Sequence, residues 1–356
     1  MIVNWLLTRR CNRHCPFCGL VNDSKYDKYK KIQDVNDKEL SWQTFANIVL
    51  NMEEFYGKGK LFHIFYGGEP FLKEGFKQFM CTMNSMSMNT NYTVITNATL
   101  LDKVIEVYEA AGIYKGLTCS LDPIIMESGN PLNNIKNNAA LQLLDVNKKR
   151  HLTKDMTVEC VFDKNNIKYT KAFLDFMSSE YPNVSISISV YDYPKNEHYD
   201  FAANPHADKN YQDSMRLHPE SKEVREAFKI IEEGAKSGKY NIHMGKADGF
   251  IDLIRITCDS SYMCNIVYDE EPISFPTLTI DADGEFRLCL RISGTTKMYA
   301  QDVFTNDKEE TRNNLVKLAN TLRENYDFYC KGCAWSCPIM DTYWDDNVDV
   351  AHGQSK

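Results

Sequence analysis

Short runs of β-branched and aromatic residues alternate along the chain with longer stretches in which apolar side chains recur every three or four positions. The short runs, at 2–7, 61–66, 92–96, 116–121, 156–162 and 184–190, read as strands. Between them, residues 42–56 place Phe45, Ile48, Val49 and Met52 on one face of a helix. Residues 101–111 read the same way, and Gly112 supplies a left-handed stop. Six such strand–helix units predict an α/β fold around a parallel sheet. Residues 191–221 then turn polar and proline-bearing, which reads first as a solvated surface loop; because they follow the sixth strand and overhang the same face, a lid or substrate contact is the alternative. A helix over 220–236 precedes a cysteine-rich tail, which divides the chain into 1–235 and 236–356.

Composition narrows the classes. With 43% hydrophobic residues in 356, the chain can bury a sizeable core. Its 49 acidic against 41 basic residues leave a formal charge of −8, which argues against a broad nucleic-acid surface. No apolar run approaches the roughly 20 residues of a membrane span, and "MIVNWLL" lacks the basic lead of an export signal, so a cytoplasmic location is expected. Twelve cysteines in such a chain point to metal rather than disulfides, because cytosolic thiols stay reduced. Cys81, Cys119 and Cys160 stand alone and read as small buried hydrophobes. The others fall in two groups: Cys11, Cys15 and Cys18 near the start, and Cys258, Cys264, Cys289, Cys330, Cys333 and Cys337 in the tail.

Parallel βα barrels build their sites from loops at the C-terminal ends of the strands. The cysteine trio follows the first strand, Gly67-Gly68-Glu69-Pro70 the second, and Asn97 the third, with Ser120 and Asp122 at the fourth and residues 163–166 after the fifth. Three thiolates without a fourth suit a metal with an open position or an iron–sulfur cluster. By spacing alone zinc is the commoner occupant, and the chain would then be a non-catalytic zinc or iron–sulfur scaffold.

Cys11-x3-Cys15-x2-Cys18, with Phe17 before the last cysteine, resembles the signature of the radical S-adenosylmethionine (SAM) enzymes. The resemblance implies a partial (β/α)6 TIM-like barrel whose three cysteines hold a [4Fe-4S] cluster. SAM would chelate the fourth iron through its amino and carboxylate groups, with Phe17 near the adenine. Gly67-Gly68-Glu69-Pro70 matches the family's GGE motif, in which glycine permits close backbone approach and Glu69 would accept from the SAM ammonium. "ITNATLL" around Asn97 resembles the third-strand TNG element, and "CSLDP", with Ser120 and Asp122, resembles the SLDG element near the ribose. Ala98 and Pro123 stand where those elements have glycine.

In the tail, "CDSSYMC" at 258–264, "DADGEFRLC" at 281–289 and "CKGCAWSC" at 330–337 resemble the SPASM or twitch extension, with Gly284 at a hairpin turn. This implies a radical SAM core over 1–235 and an auxiliary-cluster domain over 236–356. Six tail cysteines fall short of eight, so one auxiliary cluster is implied. Its ligands would be Cys258, Cys264, Cys289 and Cys337 in the SPASM manner, or Cys264, Cys289, Cys330 and Cys333 in the twitch manner.

The resemblance also implies the chemistry. An external donor such as flavodoxin or ferredoxin supplies an electron, SAM is cleaved, and a 5'-deoxyadenosyl radical takes hydrogen from an unactivated carbon. Relatives of this kind often modify peptides, so a ribosomally made peptide or protein is the expected substrate, to be crosslinked, epimerised or oxidised. A small molecule or nucleotide is the alternative. Leu290 and Arg291 stand where the sulfatase-maturing branch has an acidic base. With the first cysteine at residue 11, a leader peptide is expected to bind the barrel itself or be presented by another protein. Cys330, or another tail cysteine outside the auxiliary set, is the candidate hydrogen-atom donor of an epimerase. Asp122 and Glu159 read equally as structural carboxylates, and no general base emerges.

Overall fold

The computed structural model describes residues 1–13, 15, 39–86, 90–112, 115–190, 221–242, 275, 277–287 and 296–329. Strand β1 (Ile2–Leu6) leads to helix α1 (Trp42–Tyr56), β2 (Phe62–Tyr66), α2 (Phe76–Met86) and β3 (Asn91–Thr96). There follow α3 (Leu101–Ala111), β4 (Gly116–Ser120), α4 (Ala139–Arg150), β5 (Met156–Phe162), α5 (Thr170–Glu180), β6 (Ser185–Val190) and α6 (Ser221–Lys236). All six expected strands form, and α1 and α3 keep the expected limits. Ser41 caps α1 by accepting the Thr44 amide, and Gly112, at φ 58°, ends α3 in the left-handed region.

One sheet joins these strands in the order β6-β5-β4-β3-β2-β1-β7-β8, with β1 to β6 parallel throughout. β7 (Thr277–Ile280) pairs in parallel with the free side of β1, and β8 (Phe286–Arg287) returns antiparallel to β7. The sheet therefore runs across the division expected at 235/236. Helices α7 (Ala300–Val303) and α8 (Lys308–Tyr329) follow the hairpin. This is an α/β fold of the partial TIM-barrel kind, its strands covered by crossover helices. Among the described residues no helix is long and apolar enough to cross a membrane.

The two faces of the sheet differ, because successive side chains of a strand point to opposite sides. Val3, Trp5, Phe65, Val94, Leu117, Val158 and Ile186 face the helices and form the apolar core. The alternate positions carry Asn4, Thr93, Thr118, Ser120, Glu159 and Ser187, a polar inner face. Thr93 and Thr118 share a hydrogen bond of 3.1 Å across it.

The core holds one polar chain. Trp5 Nε1 donates to His63 Nδ1 at 2.9 Å, so the ring proton sits on Nε2 and is donated to Glu53 Oε1 at 3.0 Å. Glu53 also accepts the Gly59 amide at 2.7 Å. Burial lowers the pKa of His63 and outweighs the pull of Glu53, so the imidazole is neutral. The native state then binds fewer protons at this ring than the unfolded chain does. Stability is present above the ordinary histidine pKa of about 6.5 and is lost as pH falls below it. His63→Leu strands the Trp5 and Glu53 partners. It is expected to lower the unfolding free energy at pH 7 by about 2–4 kcal/mol in urea titrations and to flatten the loss between pH 7 and 5.5.

Candidate active site

The cysteine loop starts where β1 ends. Pairing continues past the strands: the Leu7 amide donates to Tyr66 O at 2.8 Å, Gly68 to Thr8 O at 2.7 Å, and Glu69 to Arg10 O at 2.7 Å. The two loops lie so close that a Cβ on Gly67 would stand 2.6 Å from Thr8 O, and one on Gly68 would stand 2.1 Å from Arg10 O. Both glycines are thus required by the backbone of the cysteine loop.

A buried carboxylate holds the base of that loop. Glu39 Oε1 accepts from Thr8 Oγ1 and from the Arg9 amide, both at 2.8 Å. Its Oε2 lies 3.3 Å from Lys73 Nζ and 3.9 Å from the Arg10 guanidinium. Lys73 also donates to Leu40 O at 2.6 Å. Burial lowers the Lys73 pKa and Glu39 pulls it back. On the other side the Arg9 guanidinium reaches Asp281 at 3.0 Å and Asp283 at 3.1 Å, in the turn between β7 and β8. Burial pushes the Asp281 carboxyl up, but Arg287 and Arg9 together hold it below the usual carboxylate range. Sequence reasoning singled out none of Thr8, Arg9, Glu39, Lys73 and Asp281 for the site. Their only signal is the arginine doublet beside Cys11, since their partners lie up to hundreds of positions away.

Over the strand ends, Cys11 and Cys15 are half-buried. Cys11 Sγ accepts from the Arg13 amide at 3.4 Å and from Asn97 Nδ2 at 3.7 Å. Asn97 Nδ2 also donates to Asn12 Oδ1 at 3.0 Å, and Asn12 Nδ2 to Thr99 Oγ1 at 2.7 Å. Glu69 is fully buried and binds the first three strand ends into one unit, accepting from Thr96 Oγ1 and the Asn97 amide at 2.8 Å and from the Phe71 amide at 3.3 Å. Burial raises its pKa, and these three donors oppose the rise. Pro70, also buried, opens the short 3-10 turn after it. Ala98 adopts φ 61°, the left-handed conformation that glycine takes most easily.

At the fourth and fifth strand ends, Asp122 Oδ1 accepts the Val161 amide at 3.1 Å. Burial raises the pKa of Asp122, and burial followed by the nearby Asp122 charge raises that of Glu159. Ser120 and Glu159 are register partners on the inner face. The charge of Arg13 acts on both Glu69 and Asp122. Asp163 instead closes its own turn, accepting the Asn165 and Asn166 amides.

Cys119 and Cys160 are buried among apolar side chains, and burial pushes the Cys119 thiol up to about 12, which suits inert packing. Phe17, Cys18, Cys258, Cys264, Cys289, Cys330, Cys333 and Cys337 lie outside the described residues, as do residues 191–220. Among the described residues no three metal-ligating side chains gather in one place.

A parallel βα barrel whose C-terminal mouth joins a cysteine loop, a buried glutamate and an asparagine is the class of protein this geometry defines. The family model of the Radical SAM superfamily matches residues 5–177, just under half of the chain. No curated protein matches the chain in sequence. Among solved structures, Streptococcus suis SuiB is similar in fold, with a TM-score of 0.56 at 13% identity over 87% of this chain and 65% of that one. SuiB bound to S-adenosylmethionine gives 0.53 at 13% identity over 84% and 62%, and SuiB bound to its precursor peptide SuiA gives 0.56 at 14% over 93% and 74%. The chain thus spans less than two thirds of the first two SuiB chains.

Glu39→Ala would leave Lys73 and the arginines beside a hole in the charge pattern. Urea unfolding is expected to show a loss of about 3–5 kcal/mol, and Glu39→Ala/Lys73→Met is expected to recover part of it.

Proposed function

We propose that the chain is a radical SAM enzyme acting on a ribosomally made peptide. The observation that carries the reading is the joining of Cys11, Asn97 and Glu69 at one barrel mouth within the segment matched by the superfamily. The half-buried Cys11 and Cys15 suit a soft metal, because Cys11 sulfur already receives N–H donors of the kind that stabilise thiolates. Cys11, Cys15 and Cys18 would hold a [4Fe-4S] cluster. With SAM bound, the reduced cluster would supply the electron that breaks the C5'–S bond of SAM, leaving methionine and a 5'-deoxyadenosyl radical able to take hydrogen from the substrate.

The chain's own residues bind and orient. The Glu69 carboxylate, with three donors in place, has about one acceptor direction left for an ammonium. Ser120 and Asp122 offer acceptors to the ribose, and the polar inner face receives the part of the substrate that reacts. The SuiA-bound neighbour supports a peptide substrate. On the tail's resemblance to the SPASM or twitch extension, four of its cysteines would be the ligands of one auxiliary cluster.

Anaerobic reconstitution of the wild type and of Cys11→Ala/Cys15→Ala/Cys18→Ala tests the reading. About eight irons in the former and four in the latter are expected, with 5'-deoxyadenosine formed by the wild type alone after dithionite reduction. Zinc without sulfide, and intact SAM, would overturn it. A second expectation concerns Glu69→Gln, which should weaken SAM binding about 10- to 100-fold by calorimetry, the worth of a charge-assisted contact.

A further inference from the structure

Both ends of the stretch that bears the cysteines are tied to one distant turn. At its start, Arg9 pairs with Asp281 and Asp283, the Arg9 and Asp281 side chains being 3% and 1% exposed. At its far end, the Leu40 amide donates to Ala282 O at 2.8 Å. The turn is itself stiff: Asp281 and Glu285 pair across it, the Gly284 amide donates to Asp281 O, and Asp281 Oδ1 also accepts the Ala282 amide. Gly284 lies at φ 89°, where a Cβ would meet Gln301 Oε1 at 2.3 Å, so the turn is also held from behind by the start of α7. Arg9 precedes Cys11 by two residues, and its backbone is fixed independently by Glu39. With the amide and guanidinium of one residue held from opposite sides, the direction in which the chain enters the cysteine loop has little freedom.

We propose that Arg9 is a positioning residue, through which the turn between β7 and β8 sets where Cys11 stands. The turn belongs to the segment that runs on to Cys289, so that segment reaches the base of the first cysteine loop through a buried ion pair. Surface pairs transmit little because water screens them and the side chains move. A pair buried on both sides has few alternative geometries, and breaking it leaves a desolvated charge that must relocate.

Hydrogen exchange of the metal-free full chain tests the coupling without reference to any cluster. In Asp281→Asn the amides of residues 8–11 are expected to exchange at least about tenfold faster, with those of α4 and α5 within about twofold of the wild type. Unchanged exchange at 8–11, or a uniform rise across the chain, would overturn the proposal. Should that variant fail to fold, Asp283→Asn, at the more exposed partner, is expected to give a smaller rise at the same amides, and no rise there overturns it equally. The second arm rests on the function proposed above. In reconstituted, dithionite-reduced protein, the part of the paramagnetic resonance signal that shifts on adding SAM is expected to fall at least about twofold per iron in Asp281→Asn. A wild type without a SAM-responsive signal would overturn that function, while faster exchange at 8–11 would still support the positioning role.

Discussion

The hydrogen bonds between β1 and β2 do not stop where the strands do. The amides of Gly68 and Glu69 go on to the carbonyls of Thr8 and Arg10, and this extension determines how the rest of the mouth is arranged. It requires two residues without side chains in the second loop, because any Cβ would enter the carbonyls of the first. Once made, it fixes the peptide leading to Cys11 and turns the Glu69 side chain toward β3. There the carboxylate meets Thr96 and Asn97, and Asn97 in turn meets Cys11. A closed circuit of backbone and side chain thus links three consecutive strand ends.

Around this circuit the protein buries charge at close quarters. Glu39, Lys73, Arg9 and Asp281 are all nearly inaccessible, and apolar packing of the same volume would often be at least as stable. What the charges add is direction. Each carboxylate accepts from named donors at fixed angles, so the loop base has one arrangement rather than several of similar energy. The Trp5–His63–Glu53 chain does the same on the helix side, fixing β1, β2 and α1 against one another through a single tautomer.

Much of this was legible in the chain and some of it was not, for identifiable reasons. Strands and helices with a regular period declared themselves: residues 42–56 and 101–111 form helices with those limits because their apolar stripes and caps are local. Gly67, Gly68, Glu69, Asn97 and Asp122 stood at strand ends in sequence and stand there in space. Local pattern is silent on partners, however. The four residues Thr277–Ile280 were not among the strands read from the sequence, and nothing in them reveals that their neighbour is β1. Glu39 drew no reading from the sequence, since its role depends on Thr8 and Lys73, 31 and 34 positions away. Glu69 was legible as an acceptor, but not that three of its directions are taken by the chain itself.

The place of β1 between β2 and β7 has a consequence for how the protein is made. Its first neighbour is available once residue 66 has been synthesised, and its second only when residues 277–280 emerge. Contacts so distant in sequence form late, after most local helices and hairpins. Strand β1 is therefore made before the other described strands and is among the last of them to be enclosed. Until then residues 8–11 lack the aspartates that will hold Arg9, so their final course is set by the last part of the sheet to form rather than by the first.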